Sequence, residues 1–522
     1  MRPRFVSVRL ATLGIIAAGA GVAACHDATA PAGPRASMRV LRQDAPTDTV
    51  LGAPAILVLQ IFDGAGRPAA ITPIDFHGAV LARGNNTQFD LYIAPDTARP
   101  TEQPAATRTL LTDGDGRIAV AVLRRVIAGR PAVTISSPAI GALHDSVVFV
   151  TTPGNAVAVQ VFPSDSATTV GGAYALGGVA IDQWENQRAD PVTFTIGAQQ
   201  AVGPGTNANA PVATLDGQTL RGLQTGRVRV DATSGTASGR GWVSVIPMAR
   251  LAAVDPALAG NELPALVLIN TDGSAIKRYG LNRYSEGHPR WVPGTGRIIL
   301  ENVPVNGSDP AATPRLAYVD TATGAFTDAV PSATGINGEY RPAVDARTRS
   351  LYFAAVTPVP SMQPGVSIYS AAADGSGFTF VGPPVDPYTG VGEPDVSPDG
   401  ASLAVRRNGL LMRMDLATGA LTRLGARPEA DDARWSPDGT RIAFREQGLY
   451  WIINADGSNE RALAEPTLGG DVFPGHGGLD WSPDGGWIVL RANGSLQLLD
   501  PVSGLALPLP GTSRLVGAVW SR

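Results

Sequence analysis

One hexapeptide recurs along the second half of the chain. Asp395-Val396-Ser397-Pro398-Asp399-Gly400, Arg434-Trp435-Ser436-Pro437-Asp438-Gly439 and Asp480-Trp481-Ser482-Pro483-Asp484-Gly485 share one template. Val519-Trp520-Ser521 repeats its opening, Arg290-Trp291-Val292-Pro293 is a variant, and Pro342-Ala343-Val344-Asp345 is a degenerate copy. The tryptophan-equivalent positions are 291, 343, 396, 435, 481 and 520, spaced by 52, 53, 39, 46 and 39 residues. A period of about 45 residues suits one four-stranded blade of a β-propeller. The turn itself has a physical logic. Pro presets φ at the first corner, Asp caps the turn, and Gly takes the left-handed position. An apolar run follows each turn, as in Arg441-Ile442-Ala443-Phe444, then a second, as in Leu449-Tyr450-Trp451-Ile452-Ile453. A second tight turn and a fourth strand complete the unit; that turn is Asp-Gly at 272–273, 374–375 and 456–457. Six units are expected. The last has only its innermost strand at the C-terminal end, so the run from Arg250 to Val254 should complete that blade and close the ring, leaving no open sheet edge.

Over residues 249–522 this repeat resembles the TolB-type propeller, whose blades carry the same Trp-Ser-Pro-Asp-Gly signature. The resemblance implies a propeller that works in periplasmic protein–protein contacts. TolB itself has a different N-terminal domain and no lipid anchor, so the transport role of that family is not implied. The fold is also widely reused, and function has to be argued from a site.

The first half reads as smaller β-domains. In 38–151, Ile56-Leu57-Val58-Leu59-Gln60-Ile61-Phe62 precedes a Gly/Asp turn, Ile118 to Leu123 follows Asp113-Gly114-Asp115-Gly116, and Val147-Val148-Phe149-Val150 closes the segment. Short strands between such turns fit a β-sandwich. The segment resembles invasin-type bacterial Ig-like domains. In 155–247, Val157 to Pro163, Leu176 to Asp182, Val192-Thr193-Phe194, Gly226 to Ala232 and Trp242 to Val245 follow in an order similar to the group 2 bacterial Ig-like family. The expected fold is therefore all-β: two Ig-like β-sandwiches followed by a six-bladed β-propeller. The Asp113–Gly116 run also suits calcium in residue type, but a calcium site needs six or more oxygen ligands. A hairpin turn with Gly at positive φ explains it with less.

Composition agrees. With 61 Gly and 43 Pro the chain is turn-rich, and 44% apolar residues is too many for disorder. The 41 basic residues, of which Lys277 is the single lysine, are outnumbered by 45 acidic ones, which excludes a typical nucleic-acid binder. The N-terminus pairs Arg2, Arg4 and Arg9 with an apolar run from Leu10 to Ala24, shorter than the roughly 20 residues of a spanning helix and suited to a signal peptide, 1–24. Val22-Ala23-Ala24-Cys25 resembles the lipobox of bacterial lipoproteins. That resemblance implies cleavage before Cys25 and a diacylglycerol thioether on its sulfur. The alternative is an ordinary secretory signal with an incidental cysteine. Residues 25–37 form an Ala/Pro-rich tether. By the same resemblance, to lipoprotein sorting in two-membrane bacteria, His26 in place of Asp after the cysteine argues against inner-membrane retention and implies the outer membrane, on its periplasmic or its surface face.

Topology suggests where a site lies. The long irregular stretches Val303–Pro314, Thr357–Gly365, Val381–Gly392 and Ala464–Gly478 join second to third strands, or one blade to the next, and so share the face opposite the Ser-Pro-Asp-Gly turns. Loops on a rigid scaffold are where binding usually sits. Glu286, His288, Glu339, Glu393, Asp432 and His476 precede or begin innermost strands on that face and are the candidate ligand-binding residues around the channel mouth. Their charge suits a cationic peptide or a metal. No catalytic residue and no resident metal or cofactor is expected. Ser274-Ala275-Ile276-Lys277 matches a Ser-x-x-Lys pattern, but on a hairpin and without partner motifs. The expected function is a non-enzymatic, lipid-anchored, monomeric envelope protein whose propeller binds a protein or peptide partner, displayed on Ig-like spacers. The competing readings are a surface adhesin or glycan-binding protein and, third, a propeller polysaccharide lyase using His288 and His476.

Overall fold

The computed structural model describes residues 35–521, apart from 84–85, 141–142, 164, 257–264, 281–287, 303–314, 331–336, 358–364, 383–391, 429 and 464–477. Among these residues there are strands and turns and no helix, so the all-β expectation holds. The chain divides into two compact units, Met1–Gly154 and Asn155–Arg522.

In the first unit two four-stranded sheets face each other. One contains Ser37–Gln43, Ala55–Phe62, Arg117–Arg124 and Leu91–Ala94, and the other Leu143–Val148, Ala132–Ser137, Pro73–Gly78 and Thr107–Leu111. The period of two decides the facing: Ala55, Leu57, Leu59 and Ile61 are buried while the residues between them are half-buried. They pack against Phe76, Ile135 and Phe149. At Asp113–Gly116 the Asp113 carboxylate accepts from the N–H groups of Asp115 (2.9 Å) and Arg117 (2.7 Å), and Gly116 has φ +71°. The acid serves the turn, as the hairpin explanation requires.

The second unit holds a further sandwich and the propeller. The sandwich is built on a four-stranded sheet, Asp165–Thr169, Ala237–Ile246, Gly226–Ser234 and Thr193–Ala201, around a core containing Phe194, Leu220, Val228 and Val243. Six four-stranded sheets follow. Their innermost strands are Arg290–Val292, Asn337–Val344, Gly392–Val396, Ala430–Trp435 and Leu479–Trp481 for blades two to six, and Val516–Trp520 for blade one. Val516–Trp520 pairs antiparallel with Arg250–Asp255, Trp520 opposite Leu251, so the ring closes with strands from both ends of the domain in one blade. Each innermost strand lies beside the next, and Val516–Trp520 lies beside Arg290–Val292.

The recurrent turn repeats atom for atom. In blade five the Ser436 hydroxyl donates to Asp438 Oδ1 (2.5 Å) and accepts from the Arg441 N–H (3.0 Å), and the Gly439 N–H donates to the Ser436 carbonyl (2.9 Å). The same bonds join Ser397, Asp399 and Ser402 in blade four, and Ser482, Asp484 and Trp487 in blade six. The Ser397 hydroxyl and the Ala401 N–H hold the Asp399 carboxyl below the usual carboxylate range. The opposite face is less uniform than the sequence suggests. In blades four, five and six the second and third strands are joined by two-residue hairpins, Asn408-Gly409, Gln447-Gly448 and Asn493-Gly494, all at positive φ.

The second sandwich is fastened to the propeller. Its Val202 and Ile246 enter one apolar core with Leu251, Trp487, Leu496 and Trp520. Gly203 permits the approach: with φ +96°, a Cβ there would meet the Trp487 ring at 2.3 Å. Across the seam, a Cβ on Gly486 would meet Pro204 at 2.3 Å.

Candidate functional site

Two levels of the propeller channel carry side chains of chemical interest. The first is a buried charge network. His288 precedes the innermost strand of blade two, and Asp432 lies on that of blade five. In a ring of six these blades are opposite, yet His288 Nε2 is 3.7 Å from Asp432 Oδ1, so the contact spans the channel. On its other side His288 Nδ1 lies 3.5 Å from Glu301 Oε1, which accepts the Arg341 N–H at 2.5 Å. All three acid and imidazole side chains are only 2% exposed. Asp432 is further surrounded by Arg434 (3.5 Å), Arg341 (3.9 Å) and Arg445 (3.9 Å).

Burial pushes the Glu301 carboxyl up to about 7, against the pull of Arg341 and Arg290. Burial alone would lower the Arg445 pKa, but the bidentate bonds to Asp431 (2.8 and 2.9 Å) and the charge of Asp432 raise it. The backbone is strained at the same place. His288, Arg341 and Asp432 have φ of +80°, +52° and +50°, and the innermost strands bulge between Tyr340 and Ala343 and between Asp431 and Arg434. Left-handed non-glycine residues that persist are held there by their surroundings, and such clusters mark functional or bracing positions.

The second level is an open cup of about 350 Å³ at the channel end bearing the Ser-Pro-Asp-Gly turns. Its walls are Trp291, Trp435 and Trp520 with Pro293, Pro398 and Pro437. Repeat position explains why these rings meet: each tryptophan stands at or near the end of an innermost strand, at one height in the ring. Trp291 and Trp435 each follow a network residue, His288 and Asp432, by three positions. At about 3.3 Å per residue, the cup lies roughly 10 Å from the network. Neighbouring blades are latched at this height by carboxylates. Asp395 accepts the backbone N–H of Trp435 (2.8 Å), and Asp480 that of Trp520 (3.0 Å). The Trp481 indole N–H donates to the Arg434 carbonyl, whereas those of Trp291, Trp435 and Trp520 have no acceptor among the described residues.

No family model matches the chain, and no curated protein matches it. Similar solved structures are propellers with differing names. TolB from Acinetobacter baumannii is 18% identical over 57% of this chain and 79% of its own, with a TM-score of 0.39. A putative TolB from Agrobacterium tumefaciens is 16% identical over 51% and 89%, at 0.35. An oligogalacturonate lyase from Vibrio parahaemolyticus is 11% identical over 68% and 97%, at 0.33.

Of the residues the sequence singles out, the fold brings His288 and Asp432 together, buried and not on an open rim. Glu339 and Glu393 sit on innermost strands, with side chains outside the described set. Glu286, His476 and Cys25 lie outside the described residues, as do 303–314, 358–364, 383–391 and 464–477 of the four long loops. Sequence reasoning missed the cup and its tryptophans because it placed the candidate site on the face opposite the Ser-Pro-Asp-Gly turns. The available signal was their shared register in the repeat. Ser274 and Lys277 are engaged separately: the Ser274 hydroxyl donates to Asp272 (2.6 Å), and the Lys277 ammonium donates to the Ala322 carbonyl (2.8 Å).

Proposed function

We propose that this chain is a non-enzymatic, lipid-anchored protein of the bacterial cell envelope whose propeller binds a protein or peptide partner. The observation that carries the reading is the cup: a concave space of about 350 Å³ walled by indole rings and prolines on a rigid ring. Concave, mostly apolar sites with a few polar groups are what protein anchors fill, and buried aromatic residues dominate such interfaces. The Ig-like resemblance of the preceding domains supports display away from the membrane, and the lipobox-like Val22-Ala23-Ala24-Cys25 supports the anchor.

Indole faces also stack on sugar rings, which favours glycan binding by a surface adhesin as the second reading. A lyase is supported less, because its histidine candidate His288 is 3% exposed and held between Glu301 and Asp432.

The test uses Ala346, an exposed residue of the cup. Chemical crosslinking and pulldown from envelope extract should recover a partner with the wild-type protein and lose it with Ala346→Glu. Equal recovery by both proteins would move the site away from the cup.

A further inference from the structure

We propose that Glu301 and His288 hold one proton between them, and that this proton latches blade two to blade five across the channel. While the pair keeps it, the cross-channel contact is made; when the pair loses it, the contact is released. The latch belongs to the ring itself, whatever the propeller binds.

The geometry is one imidazole between two buried carboxylates. His288 Nδ1 faces Glu301 Oε1 at 3.5 Å, and Nε2 faces Asp432 Oδ1 at 3.7 Å. A neutral imidazole has one N–H donor and one lone pair, whereas an imidazolium has two donors. With both acids ionised and the imidazole neutral, one ring nitrogen turns its lone pair to an anion. All three side chains are 2% exposed, and low local dielectric makes that arrangement costly. One added proton removes the conflict in either position. On the imidazole, both nitrogens donate. On Glu301, its O–H donates to Nδ1 and the Nε2–H points to Asp432. Burial holds the Glu301 carboxyl up at about 7, close to the roughly 6.5 of an ordinary imidazole, so the two groups titrate as a pair.

The surrounding charges decide which side lets go. Among the described residues, Asp432 also faces Arg434 (3.5 Å), Arg341 (3.9 Å) and Arg445 (3.9 Å). Arg445 is in turn bonded to Asp431 and faces the Tyr450 phenol. Three guanidinium groups, two of them from its own blade, therefore meet the Asp432 charge without the imidazole. Glu301 faces Arg341 and Arg290 and accepts the Arg341 N–H at 2.5 Å. Once the proton has gone, the one remaining imidazole N–H stays with Glu301 on blade two, and the contact to blade five opens. The backbone favours release. His288 and Asp432 are left-handed, with φ of +80° and +50°, and the blade-five strand bulges between Asp431 and Arg434. Such conformations persist only where their surroundings hold them.

Hydrogen exchange read by mass spectrometry on the full-length protein at pH 5.5 and 8.5 is the test, with rates corrected for the intrinsic effect of pH. Titration through about 7 raises the proton-free fraction of the pair roughly thirtyfold between these values. Peptides covering Arg290–Val292 and Ala430–Trp435 should exchange faster at pH 8.5 by about that factor, and those covering Ala55–Phe62 of the first unit should not. Glu301→Gln, which keeps an oxygen for the Arg341 N–H, should remove the difference at both strands. Equal corrected rates in the wild type, or a response of only one of the two strands, would overturn the latch with no variant needed. A difference that survives in Glu301→Gln would overturn it as well.

Discussion

Glu301 is the residue whose environment departs most plainly from water. An unfolded glutamate titrates near 4.5, and this one is pushed up to about 7 by burial. Between those values the folded chain binds more protons than the unfolded one, so its contribution to stability is full below about 4.5 and is lost as pH rises through 7. Glu301→Gln keeps an oxygen for the Arg341 N–H and removes the titration. Relative to wild type, the variant should therefore gain roughly 3 kcal/mol between pH 4.5 and 8, the worth of about 2.5 pKa units. Urea midpoints at the two pH values measure this, and parallel curves for the two proteins would refute it. The strain at His288, Arg341 and Asp432 belongs to the same scale. Sequence patterns give no sign of it, because a positive φ at a non-glycine residue is imposed by neighbours from other blades.

At the scale of strands and turns, much more was legible. The Ser-Pro-Asp-Gly template marks the first turn of blades four, five and six, and its hydroxyl and carboxylate bond as turn chemistry predicts. Ring closure could be read from the unpaired copy at Val519-Trp520-Ser521, and Trp520 is found opposite Leu251. The tight hairpins at Asn408-Gly409, Gln447-Gly448 and Asn493-Gly494 were also present as a signal, a two-residue turn with Gly second. What local pattern could not give is which rings converge across the channel, since Trp291, Trp435 and Trp520 are far apart in sequence and meet only through the closed ring. The closing strand invites a test at this scale. Trp520 is 4% exposed in a core shared with Leu251 and Trp487. Trp520→Ala should destabilise the propeller by roughly 3–5 kcal/mol, the usual cost of emptying a large aromatic site. Chemical denaturation followed by the remaining tryptophan fluorescence reads this, and a loss under about 1 kcal/mol would show that closure depends little on this ring.

For the molecule as a whole, the second sandwich and the propeller form one compact unit, whereas sequence reasoning treated the sandwich as a spacer. The residues that fasten them, Val202, Gly203 and Gly486, have no repeat or motif to announce them. The proposed attachment to the membrane rests on the N-terminal sequence alone. Cys25→Ser should shift the protein from the membrane pellet to the soluble fraction, and unchanged fractionation would remove the lipid anchor from the proposal. Closure within one blade also has a mechanical consequence. Leu251 and Trp520 are paired at the same end of two antiparallel strands. Tension applied between the connection at Met248 and the residues after Trp520 would load the hydrogen bonds of that pair one after another, as in peeling, and not all at once, as in shear. The ring would then yield first along a single seam, blade by blade inward from its latch, so an anchored molecule pulled through these points would open as a strip while its remaining blades were still folded.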